Sequence, residues 1–213
     1  MAATPQHGKQ GAVYRLRTTA TASSLSSEAC TESGTTAQIT DAAKRLLDPN
    51  NPPVFTSTGG ENVLSINYTT GTVYFDGNVD IDTVTVTGTD CYYAASELDK
   101  VGYVTDWTLN ISVDLADSSY MGQAWKSFTA GQAGGSGSVG AFFIGDDSFL
   151  DGITNKEYFL LQLFTYDPAQ DQTGDHFKAW SLFNSNGVSA AVGDTVKETM
   201  DFTVEGIPSF YEE

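Results

Sequence analysis

The chain has 213 residues, 40% hydrophobic and 12% aromatic, enough for one large β domain or two small ones with a packed core. Only 10 lysines and arginines face 27 acidic residues, a formal charge of −17. That balance disfavours ordinary nucleic-acid binding and attraction to anionic membranes, because both need clustered cations and Lys44-Arg45 is the only basic cluster. The N-terminus has no apolar run of signal-peptide length, and no window approaches the roughly 20 apolar residues that span a bilayer. Synthesis in a cytoplasm without a membrane anchor is expected. Cys30 and Cys91 lack CxxC spacing and read as reduced, structural thiols.

In chain order, residues 1–37 are rich in Ala, Thr, Ser and Gly and read as an N-terminal arm or loop with one strand-like run, Ala12 to Leu16. Thr40 can cap a short helix, Asp41 to Leu47, which Pro49 and Pro52-Pro53 stop. Strands follow at Val63 to Tyr68 and Gly71 to Phe75. From Thr72 to Thr89 the apolar phase flips, with Val73, Phe75, Val79 and Ile81 at odd positions and Val84 and Val86 at even ones, so a break or bulge is expected near Asp82. The clearest strand is Val101 to Leu115: Val101, Tyr103, Trp107, Leu109, Ile111, Val113 and Leu115 share one face, and Asp106, Thr108, Asn110, Ser112 and Asp114 the other.

Met121, Ala124, Trp125 and Phe128 fall at helical spacing and predict one helix packed on the sheet, ending near Gly131. The run GQAGGSGS (131–138) reads as a flexible loop. Val139 to Ile144 and Tyr158 to Tyr166 return to strands, the second apolar on both faces and hence central. The last strand sets Val196, Met200, Phe202 and Val204 against Lys197, Thr199, Asp201, Thr203 and Glu205, with Glu198 the one break in the dry face. The fold expected is mainly β, an antiparallel β-sandwich or open barrel with one flanking α-helix, comprising a domain at 38–208 and a C-terminal tail at 209–213.

Catalytic signatures are missing. The two histidines, His7 and His176, are assigned to a mobile arm and to a surface or strand end, and there is no G-x-S-x-G, P-loop or H-E-x-x-H motif. No enzyme, cofactor or metal site is assigned. Asp76, Asn78, Asp80 and Asp82 begin like a calcium loop, but Ile81 stands where its Gly belongs and Thr87 where its Glu belongs. On a strand the same spacing makes a one-faced acidic stripe. Trp107 and Trp125 lie on the apolar phase of their elements and read as core anchors; Trp180 is open between core and a sugar-stacking surface.

The segment HFKAWSLFNSNGVSAAVGDTVKETMDFTVEGIP (176–208), with Trp180, the turn Val188 to Gly193 and the strand Thr195 to Gly206, resembles the closing strands of phage tail tube proteins. QITDAAKRLLDP (38–49), NYTTGTVYF (67–75), VTDWTLNISVD (104–114) and YMGQAWKSFTAGQ (120–132) add serial agreement with the major tail proteins of long-tailed, siphovirus-type phages. The resemblance implies a tail-tube-like β-sandwich that self-assembles into stacked hexameric rings. It implies a virion tail protein made in the host bacterial cytoplasm, whose partners are its own copies, a tape-measure protein and the tail terminator or tail-tip proteins. DNA in transit would be repelled by the bore, not bound. Candidate lumen residues are Asp76, Asp80 and Asp82, or Asp201 and Glu205. The N-terminal arm, the 131–155 region and the C-terminal IPSFYEE are candidates for contacts between rings. A tail terminator or a contractile-machine tube protein is the alternative within that class, and a carbohydrate-binding or adhesin-like β-sandwich is the alternative outside it.

Overall fold

The computed structural model describes residues 12–16, 20–94, 97–100, 104–118, 128–142, 153–165, 175–190 and 195–211. Among the described residues thirteen strands are seen: β1 Ala12–Leu16, β2 Ser23–Ser33, β3 Thr36–Ile39, β4 Val54–Ser57, β5 Val63–Asn67, β6 Thr72–Phe75, β7 Val84–Tyr92, β8 Leu98–Lys100, β9 Val104–Asp117, β10 Phe128–Phe142, β11 Tyr158–Phe164, β12 His176–Ser189 and β13 Lys197–Tyr211. The mainly β, antiparallel class expected from the sequence is what the chain adopts. It divides into two compact units: unit 1 holds residues 1–102, 158–180 and 206–213, and unit 2 holds 103–157 and 181–205.

Unit 1 contains a six-stranded sheet in the order β4-β7-β2-β3-β6-β5. Val73, Phe75, Val79, Val84 and Val86 close against Leu25, Cys30, Ile39, Phe55 and Cys91, so the sheet curls around a core of its own side chains. The break near Asp82 is real: β6 stops at Phe75, β7 starts at Val84, and the intervening turns reset the phase. Ile81, counted with the apolar phase, sits on that loop and is 96% exposed. Both thiols are buried and unbridged, and burial pushes the Cys30 thiol up to about 12 and raises that of Cys91.

The supposed arm at 1–37 contains all of β2 and the start of β3. β1 matches the predicted run, but β2 escapes periodicity because register shifts at Ser23/Leu25 and Leu25/Glu28 leave only Leu25 and Cys30 buried. The helix expected from Asp41 to Leu47 shrinks to a 3-10 turn, Ala42–Lys44, capped by Asp41 in place of Thr40: Ala43 N donates to Asp41 Oδ1 at 3.0 Å. Backbone competition explains the early stop, since Leu47 N donates to Tyr68 O and Tyr93 N to Leu46 O, each at 2.8 Å.

Unit 1 also carries the strand run β8-β1-β11 and the first part of β12. β11 is buried on both faces, as its composition predicts. Leu46, Leu160 and Trp180 form a second cluster with Tyr93 and Leu98 packed on it. His176, read as a surface or strand-end residue, is buried between Phe164 and Tyr211, with ring centroids at 4.3 and 4.9 Å. The segment read as a C-terminal tail is not free at 209–211. Ser209 is buried against Thr69, and Tyr211 Oη donates to Thr69 O at 3.1 Å, so β13 runs on to Tyr211.

Candidate assembly and conduit surfaces

In unit 2, the later part of β12, the earlier part of β13, β10 and β9 form a sheet in that order. The run expected to be a loop at 131–138 lies inside β10, as does Phe128, the last residue of the expected helix stripe; Met121, Ala124 and Trp125 lie outside the described residues. Glycine makes this strand because of what stacks on it. A Cβ on Gly137 would stand 2.1 Å from Thr108 O and 2.5 Å from Phe202 Cζ, and Gly135 meets Val204 in the same way. The backbone of β10 is the floor on which Phe202 and Val204 lie, which compensates for the missing side chains.

Register sorts the sheet into two chemically opposite faces. Opposed residues of an antiparallel ladder point the same way. Trp107, Val139 and Met200 therefore form one row, Leu109, Gly137 and Phe202 the next, and Ile111, Gly135 and Val204 a third. The other face has rows Asp106, Gly140, Thr199; Thr108, Ser138, Asp201; and Asn110, Ser136, Thr203.

Among the described residues the dry face is covered at one end only. Val139, Met200, Phe202 and Phe183 are buried and Trp107 and Leu109 are half-buried, whereas Ile111, Val113 and Leu115 are 54%, 48% and 63% exposed. Glu198, the predicted interruption, is buried on β13, where Asn186 Nδ2 donates to its Oε1 at 2.7 Å.

The wet face is a hydroxyl and carboxylate lattice. Thr108 Oγ1 and Ser138 Oγ are 2.9 Å apart, Ser185 Oγ donates to Asp201 Oδ2 at 2.7 Å, and Asn184 Nδ2 donates to Thr203 Oγ1 at 3.2 Å. Asp106, Asp201 and Glu205 are exposed on it, and Lys197 is its one cation among the described residues.

The two sets of acidic candidates are thus separated by their surroundings. Asp201 and Glu205 stand on a strand face. Asp76, Asp80 and Asp82 do not form a strand stripe; they lie in the turn between β6 and β7 and tie it to the loops that carry Asn62, Gly34 and Thr58. Asn62 N and Nδ2 both donate to Asp76 at 2.8 Å, which holds that carboxyl below its usual range; Gly34 N donates to Asp80, and Thr58 Oγ1 to Asp82 at 3.4 Å. Sequence reasoning missed Ser136 and Ser138 as members of the polar lattice, because a Gly-Ser run carries no apolar alternation. No group of three or more potential metal ligands occurs among the described residues, and no helix among them is long and apolar enough to cross a membrane.

No protein-family profile matches the chain, and no curated protein matches it. Among solved structures it is similar to a chain in the tail of an empty gene transfer agent particle, refined helically with C6 symmetry: TM-score 0.46, 13% identity, covering 55% of this chain and 89% of that one. It is also similar to a chain in the virion of a native gene transfer agent particle, with TM-score 0.45 and 12% identity over 55% of this chain and 91% of that one.

Proposed function

We propose that this chain is a structural, non-enzymatic subunit of a phage-type tail, which self-assembles into stacked hexameric rings and forms a tube for DNA ejection. The observation that carries the reading is the two-faced sheet of unit 2. Its wet face offers hydroxyls and carboxylates with a single lysine, and its dry face continues past its own cover into Ile111, Val113 and Leu115. A duplex carries about one negative charge per 1.7 Å of axis, so a wall of this chemistry repels phosphate and lets the duplex slide, where a basic wall would hold it. In this reading Asp106, Asp201 and Glu205 face the bore, and Asp76, Asp80 and Asp82 are structural. The exposed apolar end of β9 meets another copy, since open strands and uncovered apolar rows are what a self-assembling β subunit uses. Tape-measure and terminator or tail-tip proteins are the further partners, and the virion tail is the site of action.

A carbohydrate-binding module is less well supported, because Trp180, the aromatic left open for sugar stacking, is 3% exposed in the core of unit 1. Negative-stain microscopy with light scattering at rising concentration tests the proposal. Tubes or rings of uniform width are expected. A monomer at every concentration, even with tail-tip proteins added as initiator, would sink it.

A further inference from the structure

Unit 1 contains a cavity of about 210 Å³ whose wall includes Arg45, Lys178, Tyr211, Tyr93, Leu46 and Leu98. No aspartate or glutamate lines it among the described residues, although the chain holds 27 of them against 10 basic residues. Two cations converging on one carboxylate-free cavity run against that composition.

Neighbouring residues sharpen the contrast. Lys44 pairs with Glu28 and Asp41. Arg45 instead donates from Nε to Ile39 O at 2.7 Å and from Nη2 to Thr40 O at 3.1 Å, so two carbonyls fix its fork and neutralise none of its charge. Lys178 Nζ lies 4.7 Å from the centroid of the Tyr211 ring, and burial pulls its ammonium below the ordinary lysine range. Tyr211 is held in place by its hydrogen bond to Thr69 O and feels the charge of Arg45. An ammonium withdrawn from water without an anion is costly, and a bound anion offsets that cost.

We propose that this cavity binds a carboxylate on a short aliphatic stem, the size of a glutamyl side chain, with Arg45 and Lys178 taking the charge and Leu46, Leu98 and Tyr93 the stem. The apolar part of the wall favours a carboxylate carried on a hydrocarbon stem over phosphate, a fully hydrated anion with no apolar part. Two sources of the carboxylate are open: Glu212 and Glu213, which follow Tyr211 in sequence, or a glutamyl group from another molecule. The site stands whether or not the chain builds a tube.

Glutarate is the probe, titrated at low salt into the full-length chain while melting temperature and the Tyr211 ring resonances are followed. A saturable rise in Tm is expected, with phosphate at equal ionic strength clearly weaker. Lys178→Met should melt higher than wild type without ligand, because the desolvated charge is gone, yet bind glutarate at least about tenfold more weakly. Arg45→Gln should lose about as much affinity and carries the test if the first variant misfolds. In the Glu212→Gln, Glu213→Gln double variant, glutarate binding about tenfold tighter identifies the chain's own residues as the source, and unchanged affinity identifies another molecule. The proposal is overturned by phosphate binding as tightly as glutarate, or by no saturable binding in either wild type or the double variant. It is also overturned if Lys178→Met melts lower with glutarate affinity intact, which would make the lysine a packing residue.

Discussion

β6 and β7 of unit 1 and β9 of unit 2 all alternate apolar and polar residues, with opposite outcomes. In unit 1, Ile39, Val73, Val84 and Val86 are fully buried because the sheet curls over them. In unit 2, the alternation of β9 continues through Ile111, Val113 and Leu115 after the cover has ended. Alternation therefore reports which face of a strand is apolar; it does not report that neighbouring described residues cover it. Where cover is missing, the apolar row is an offer to another molecule.

The largest test of this contrast is at the covered end of the unit 2 face. Phe202→Ala should cost about 3–5 kcal/mol, because the ring fills the space above Gly137 and packs edge-on to Phe183. Chemical denaturation checks it, and a loss below 1 kcal/mol would mean that this face has no true core.

Next comes a matched pair. Ile39→Ala should cost about 2–5 kcal/mol, while Ile111→Ala should stay within about 0.5 kcal/mol and instead reduce assembly in scattering. Equal destabilisation of both would erase the distinction. Gly137→Ala follows, with overpacking of about 1–3 kcal/mol and no effect on unit 1 beyond that loss.

The smallest effect is electrostatic. The Asp76 carboxyl is held below its unfolded value near 3.8 by Asn62, so its contribution is present above that value and fades as pH falls through the depressed one. Asn62→Ala should move the onset of acid unfolding slightly upward in pH; an unchanged acid limb would show that the turn does not depend on this contact.

Much of the fold is legible in the residues, and the exceptions have physical causes. β1, β5, β6, β11 and the alternation of β13 follow from apolar spacing alone, including Glu198 as the one polar residue in a dry row. β2 is concealed by its register shifts and by Ser27, whose φ of 51° breaks the phase. The 131–138 part of β10 reads as loop because it carries no large apolar side chain, and Phe202 and Val204, which stack on its glycines, lie more than 60 positions away. Of the candidate surface, Asp106, Thr108 and Asn110 are visible as a wet face, and Asp201 and Glu205 as another. Only register shows that Ser136 and Ser138 join them into one lattice. The convergence of Arg45 and Lys178 leaves no trace in either local segment.

The buried thiols have a practical consequence. The Cys30 thiol, pushed up to about 12 by burial, is overwhelmingly protonated at pH 8. Cys91 is shielded in the same core. Both native thiols are thus shielded from maleimides in the folded chain, and a cysteine introduced at Asp201 or Ile111 would be the one reactive handle on each copy. Labelling rates before and after concentration-driven association would then chart, position by position, which side of the sheet stays open to solvent and which is sealed between copies.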